Sequence, residues 1–198
     1  MASTTPGPRA RKRDPNRRQS ILDAAALLLA RRGYVGVSMA DIGAEVGVAA
    51  SALYWHFPSK QQLLVSLFDQ CMDRLVSEQR EILMRSGHTL EALQEIVARQ
   101  VDFVVDERGF AQVYYREATS LAPDDLRRLR GKQRAYVDGL VELVCDLRPE
   151  VEHATVAALV HAAIGTVQST LQYRSHMDDE ELKTFLVGLA LRTLSTTA

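Results

Sequence analysis

The sequence predicts an all-α chain of about nine helices, and three observations predict it. Apolar residues recur at three- and four-residue intervals along most of the 198 positions, the period of a helix with one buried face. No run of alternating apolar and polar residues flanks an Asn-Gly or Asp-Gly turn, and Asp138-Gly139 sits inside a helix-period stretch. The six prolines fall in the N-terminal segment or at segment starts and turns, so none interrupts a long periodic run.

The elements follow in order. Residues 1–15, with Pro6, Pro8 and Pro15 and a cluster of arginines, read as a flexible basic arm. A first helix starts at Pro15 or Asn16, buries Ile21, Leu22, Ala25, Leu28 and Leu29, and stops at Gly33 behind Arg31 and Arg32. Ser38 caps a short helix from Met39 to Val46, with Asp41 in its first turn and Gly47 as its stop. A third short helix is expected from about Ala49 to His56. Ser59 opens a long fourth helix to Gly87, in the Ser59-Lys60-Gln61-Gln62 form of a capping box. Thr89 caps a fifth to about Asp106, and a sixth is expected over Gly109 to Ser120. Pro123 with Asp124 and Asp125 opens a seventh to about Leu147. Pro149 is expected to open an eighth to about Ser175, and Asp178 a ninth to about Leu194.

Composition narrows the function classes. Hydrophobic residues make up 46% of the chain, ordinary for a globular domain. The longest apolar run, Ala24 to Ala30, is far below the ~20 residues that span a bilayer. No apolar h-region follows the N-terminus, so a secretory leader is not expected, and a cytoplasmic protein with no membrane partner is. Cys71 and Cys145 alone give neither a disulfide framework nor a four-thiolate zinc site. No Gly-x-Ser-x-Gly, Gly-rich phosphate loop or His-Glu-x-x-His is present, so no catalytic residue is nominated. Glu150 and His153 form a single Glu-x-x-His pair, whereas a di-iron bundle needs two. No metal site and no cofactor is therefore expected.

Charge is divided along the chain. Residues 1–60 carry nine basic and four acidic side chains, and the remainder 15 and 21. A basic end on an acidic body points to a polyanion at that end. There, two short helices joined by Gly47-Val48-Ala49 have the spacing of a helix-turn-helix. Ile42, Val46, Val48 and Leu53 would pack between them, with Gly43 small where they cross. Tyr54 and Trp55 are adjacent, so they cannot both face one core. At least one looks outward, and such a helix fits a major groove about 12 Å wide.

From Ile21 to Leu64 (ILDAAALLLARRGYVGVSMADIGAEVGVAASALYWHFPSKQQLL) the chain resembles the TetR family of bacterial transcriptional regulators. The combination of Leu53-Tyr54-Trp55-His56-Phe57, Ser59-Lys60 and Leu63-Leu64 carries the resemblance. It implies an N-terminal helix-turn-helix DNA-binding domain, residues 16–60, and a C-terminal helical ligand-binding and dimerisation domain, residues 61–198. It implies that Ala49, Ala50, Ser51, Tyr54 and Trp55 face the groove. Ser38, Tyr54 and His56 would approach phosphates, and Lys60 would clamp one. The family often has Ser or Thr where this chain has Ala49 and Ala52, so a helix cap and a phosphate hydroxyl are missing.

A palindromic operator in double-stranded DNA needs a dimer, since two grooves lie one helical turn, ~34–36 Å, apart. The last two helices suit a homodimer interface: the eighth reads Val156, Ala157, Val160, Ile164, Val167 and Leu171 with the small Ala162, Ala163, Gly165, Thr166 and Ser169 among them, and the ninth adds Leu182, Phe185, Leu186, Gly188, Leu189 and Leu194. The body would enclose a pocket for a small hydrophobic inducer, lined by Phe68, Met72, Phe103, Tyr114, Tyr115, Gln168 and Gln172, with His161 and Arg116 as polar contacts. Arg127, Arg130 and Arg134 share one face of the seventh helix and suit the phosphates of an acyl-coenzyme A. The reading is a ligand-released repressor. The alternatives are a protein that coats DNA without sequence preference and a helical-bundle enzyme.

Overall fold

The computed structural model describes residues 16–173 and 175–196. The expected arm, residues 1–15, lies outside them. Among the described residues the regular structure is helical: α1 (Arg17–Arg32), α2 (Met39–Glu45), α3 (Ala50–Leu53), α4 (Lys60–Ser86), α5 (Leu90–Asp106), α6 (Arg108–Glu117), α7 (Pro123–Leu147), α8 (His153–Ser169) and α9 (Asp179–Leu194). Helices α1 to α3 form an N-terminal head. Behind it α4 packs on α5 and α7, α7 packs on α8, and α9 packs on α8 and α5. Helix α6 leans on α1, so head and body share a wall. One apolar core runs through both, from Ile21, Ile42 and Leu53 through Leu64 and Phe68 to Leu143 and Val156, all at most 2% exposed.

The stops expected at Gly33, Gly47 and Gly87 are real. Each glycine has positive φ (71°, 69° and 65°), where a side chain would be strained. The caps at Ser38, Thr89 and Asp178 form, each accepting the N–H three residues on. At Ser59 half the box forms. Ser59 Oγ accepts the Gln62 N–H at 3.1 Å, but the Gln62 amide reaches Asp125 at 3.3 Å instead of returning to the cap.

Three helices, α3, α6 and α8, have boundaries that differ from the sequence reading. Helix α3 is one turn long, not two. The Leu53 carbonyl accepts the N–H groups of both His56 and Phe57 at 2.9 Å, which closes the helix into a tight turn ahead of Pro58. Helix α6 ends at Glu117 and passes into a 3-10 turn over Ala118–Ser120, since Ala122 must be extended before Pro123. Pro149 does not open α8. The Val151 N–H closes a turn on the Arg148 carbonyl at 3.0 Å. The Arg148 guanidinium also holds the Leu194 and Thr196 carbonyls at 2.7 and 3.0 Å. That strap to the end of α9 turns the chain, so the helix begins at His153. It ends at Ser169, well before Ser175, where Thr170, Leu171 and Gln172 close successive turns on the carbonyls three residues earlier.

Candidate nucleic-acid interface and central cavity

The head is built around the α2–α3 crossing. An added Cβ at Gly43 would lie 2.7 Å from the Val48 carbonyl oxygen and 3.3 Å from the Ala50 nitrogen. Only a residue without Cβ lets the turn pass this close, and the Val48 N–H then bonds the Gly43 carbonyl at 2.8 Å. Leu53 (0% exposed) and Phe57 (1%) are the inward anchors on either side of the tight turn. Between them the chain bulges outward, with Tyr54 51% and Trp55 90% exposed, and His56 exposed too. Ala49 and Ser51 are exposed on the adjoining start of α3, and Ala50 is half-buried. Ala49 supplies no side-chain cap. The Arg18 guanidinium stacks 4.9 Å over the Phe57 ring and donates to Ser66 Oγ at 3.1 Å, tying α1 to the turn and to α4.

Two expected phosphate contacts are occupied internally. The Ser38 N–H donates to the Asp41 carboxylate at 2.8 Å, the Ser38 hydroxyl also donates to it, and the Asp41 N–H returns to Ser38 Oγ at 3.1 Å. These bonds, chiefly the hydroxyl's, hold the Asp41 carboxyl below its usual range. Arg32 sits 3.5 Å from the same carboxylate. Lys60 Nζ donates to the Tyr34 carbonyl and lies 4.0 Å from the Tyr34 ring centre. Burial lowers its pKa. Lys60 therefore reaches a phosphate only by leaving Tyr34.

The body holds a cavity of about 280 Å³ between α4, α5, α6, α7 and α8. Six of the residues nominated from sequence line it: Met72, Phe103, Tyr114, Tyr115, His161 and Gln168. Phe68 does not. It is fully buried behind the wall, edge-on to Tyr114 with ring centres 4.8 Å apart. Arg116, Arg130, Arg134 and Gln172 are exposed and are not wall residues. The seventh helix's cations divide: Arg127 pairs with Asp124, and Arg128 and Lys132 bridge to Asp69 of α4 at 2.8 and 3.0 Å.

Sequence reasoning missed the polar residues Gln100, Gln133 and Tyr136, and the apolar Leu75, Val104 and Ile164. Gln133 sits on the stretch of α7 nominated for its arginines, but spacing alone does not say which of its faces turns inward. Burial pushes the phenol pKa values of Tyr114 and Tyr136 upward and the Cys71 thiol up to about 12, so all three groups are neutral. On the outer side of α8, Ala154, Ala158, Ala162, Gly165 and Ser169 are exposed, and Phe185 of α9 is 45% exposed. The larger apolar residues expected at a dimer interface, Val156, Val160, Val167, Leu171, Leu182, Leu186 and Leu194, are instead buried against the chain's own core.

Residues 21–67 match the family model described as bacterial regulatory proteins of the tetR family. Residues 86–194, more than half the chain, match the model for the tetracyclin repressor-like C-terminal domain. The HTH-type transcriptional repressor KstR2 of Mycolicibacterium smegmatis is 28% identical over 77% of this chain and 75% of its own length. A TetR-family transcriptional regulator from Bordetella parapertussis superposes with a TM-score of 0.75 at 24% identity, over 93% of this chain and all of the other. The regulator FadR from Bacillus subtilis, solved with stearoyl-CoA, has a TM-score of 0.71 at 18% identity over 88% and 98%. At these identities the two structures establish a shared fold.

Proposed function

The chain belongs to the TetR family of bacterial regulatory proteins, and on that premise we propose that it is a ligand-released repressor that binds a palindromic operator as a homodimer in the cytoplasm. The observation that carries this reading is the outward ridge of Tyr54 and Trp55 between two buried anchors. A tryptophan 90% exposed on a basic head costs apolar surface in water and gains a partner in a groove or against a sugar. Residues 16–60 are the reading head and 61–198 the sensor. In DNA contact Ser51, Tyr54 and Trp55 approach base edges, and Lys60 exchanges the Tyr34 carbonyl for a phosphate.

Two copies pair through the exposed small-residue face of α8 and Phe185 of α9, which sets the heads one helical turn apart. Two helices link cavity to head. Helix α4 carries Lys60 at its first residue and Cys71, Met72 and Leu75 in the cavity wall, about 17–23 Å along its axis. Helix α6 carries Tyr114 in the wall, and its Gly109 abuts the Ala30 carbonyl of α1, where an added Cβ would fall 2.6 Å away. A ligand that favours a different α4–α6 arrangement alters head spacing. It needs a differential affinity of about 10⁴ to reverse a 99:1 population.

A second reading, that the ligand is an acyl-coenzyme A, is favoured by one observation: Arg130 and Arg134 are exposed on α7 and make no ion pair among the described residues. The relative solved with stearoyl-CoA adds support. Nuclease footprinting of the protein on DNA upstream of its own gene tests the main reading. A bounded footprint lost in Trp55→Ala is expected. Uniform protection of any duplex would instead fit a DNA-coating protein.

A further inference from the structure

We propose that the ligand of the central cavity is a compact uncharged molecule with an apolar body and two carbonyl or hydroxyl oxygens, which sets it apart from carboxylates and coenzyme A thioesters. This rests on the ligand-responsive reading above and names the chemistry of its ligand. No lysine, arginine, aspartate or glutamate lies in the wall. Its polar groups are amides, phenols, the Cys71 thiol and the imidazole of His161 at the exposed edge on α8.

Of the cations next to wall residues in the chain, Arg74 and Lys132 are already paired, and Arg99, Arg116 and Arg134 are exposed and stand outside the wall. Arg74 pairs with Glu107 at 2.6 Å, and Arg128 and Lys132 pair with Asp69 at 2.8 and 3.0 Å. An anion in this space would be desolvated without a counter-charge, which is heavily disfavoured. Two donors, by contrast, await an acceptor. Tyr136 donates its hydroxyl proton to Gln100 Oε1 at 3.4 Å, which leaves the Gln100 NH₂ without a protein acceptor among the described residues. Gln133 Nε2 donates to Tyr114 Oη at 2.8 Å, which leaves the Tyr114 proton to be given away. These donors stand on α5 and α6, and both residues line the cavity. A volume of about 280 Å³ sits at the small end of ligand pockets, ~300–1,000 Å³.

The test compares 2,6-diacetylnaphthalene, its isostere naphthalene-2,6-dicarboxylate and octanoyl-coenzyme A by calorimetry on the full chain. The diketone is expected to bind at least about a hundredfold tighter than either anion. Tyr114→Phe is expected to weaken the diketone by roughly tenfold, with far-ultraviolet dichroism unchanged. Gln133→Arg, which adds a cation to the wall, is expected to raise dicarboxylate affinity at least about tenfold. Equal binding of the dicarboxylate or the thioester, binding of none of the three, or a diketone affinity unmoved by Tyr114→Phe overturns the assignment. The ligand-free preparation is footprinted in parallel. A specific footprint beside a failed ligand panel leaves the regulator standing, and a clean neutral preference without a footprint does the reverse.

Discussion

Replacing Gly43 with alanine puts a methyl group 2.7 Å from the Val48 carbonyl oxygen, where ordinary contact begins at 3.4 Å. The obstacle is backbone in a turn held by the Val48-to-Gly43 hydrogen bond, so it yields only if α3 moves away from α2, by about 0.7 Å from those two distances. Overpacking of this kind costs about 1–3 kcal/mol, and alanine returns up to ~1 kcal/mol of helix propensity. The net loss is about 0–2 kcal/mol. Gly131 supplies the control, since it is exposed in α7 and an added Cβ there meets nothing within 4 Å. Gly131→Ala keeps only the propensity gain, up to ~1 kcal/mol. The two variants should differ by about 1–3 kcal/mol, or roughly 2–12 °C in melting temperature for a chain of this size. Thermal melts read by circular dichroism measure the difference, and gel-shift titration should show Gly43→Ala binding specific DNA about tenfold more weakly as the ridge shifts. A Gly43→Ala protein that melts at or above Gly131→Ala would refute the tight crossing.

Other expectations follow from the same geometry. Trp55→Ala should abolish specific DNA binding in gel-shift titrations yet change stability by no more than about 0.5 kcal/mol, because an exposed ring holds no fold together. Ser38→Ala should cost about 1 kcal/mol in urea melts by removing the α2 cap. The Asp41 carboxyl is depressed below its ordinary 3.8, chiefly by Ser38, so its contribution is fully present above that value. It is lost as pH falls through the lower folded value, and Asp41→Asn should flatten this part of the acid limb of stability against pH. Phe185→Asp should shift the protein from dimer to monomer in sedimentation velocity, with operator affinity falling at the same time.

Much of the fold was legible because local chemistry fixes where helices stop and start. Gly33, Gly47 and Gly87 end helices, and Ser38, Thr89 and Asp178 cap them, as spacing alone predicts. The errors arose where a partner distant in sequence decides. Pro149 has the appearance of a helix start, but Arg148 is strapped to carbonyls near residue 195 and turns the chain first. The aromatic run after Leu53 reads as helix until Leu53 accepts two N–H groups at once. At the candidate interface, the outward pair Tyr54–Trp55 followed from adjacency, whereas the internal partner of Lys60 did not, because Tyr34 lies 26 residues away. The cavity was half legible. Large aromatics such as Phe103 and Tyr114 announce themselves, but a buried glutamine such as Gln100 reads as surface until five helices close around it.

The proposed function stands on the Tyr54–Trp55 ridge reading duplex sequence in pairs. Selection of bound duplexes from a random-sequence library, with the wild-type chain and Trp55→Ala side by side, tests it most directly. The wild type should enrich an inverted repeat with half-site centres about 10 base pairs apart, and the variant should enrich none. Recovery of unenriched sequences by the wild type, or of the same repeat by Trp55→Ala, would contradict it.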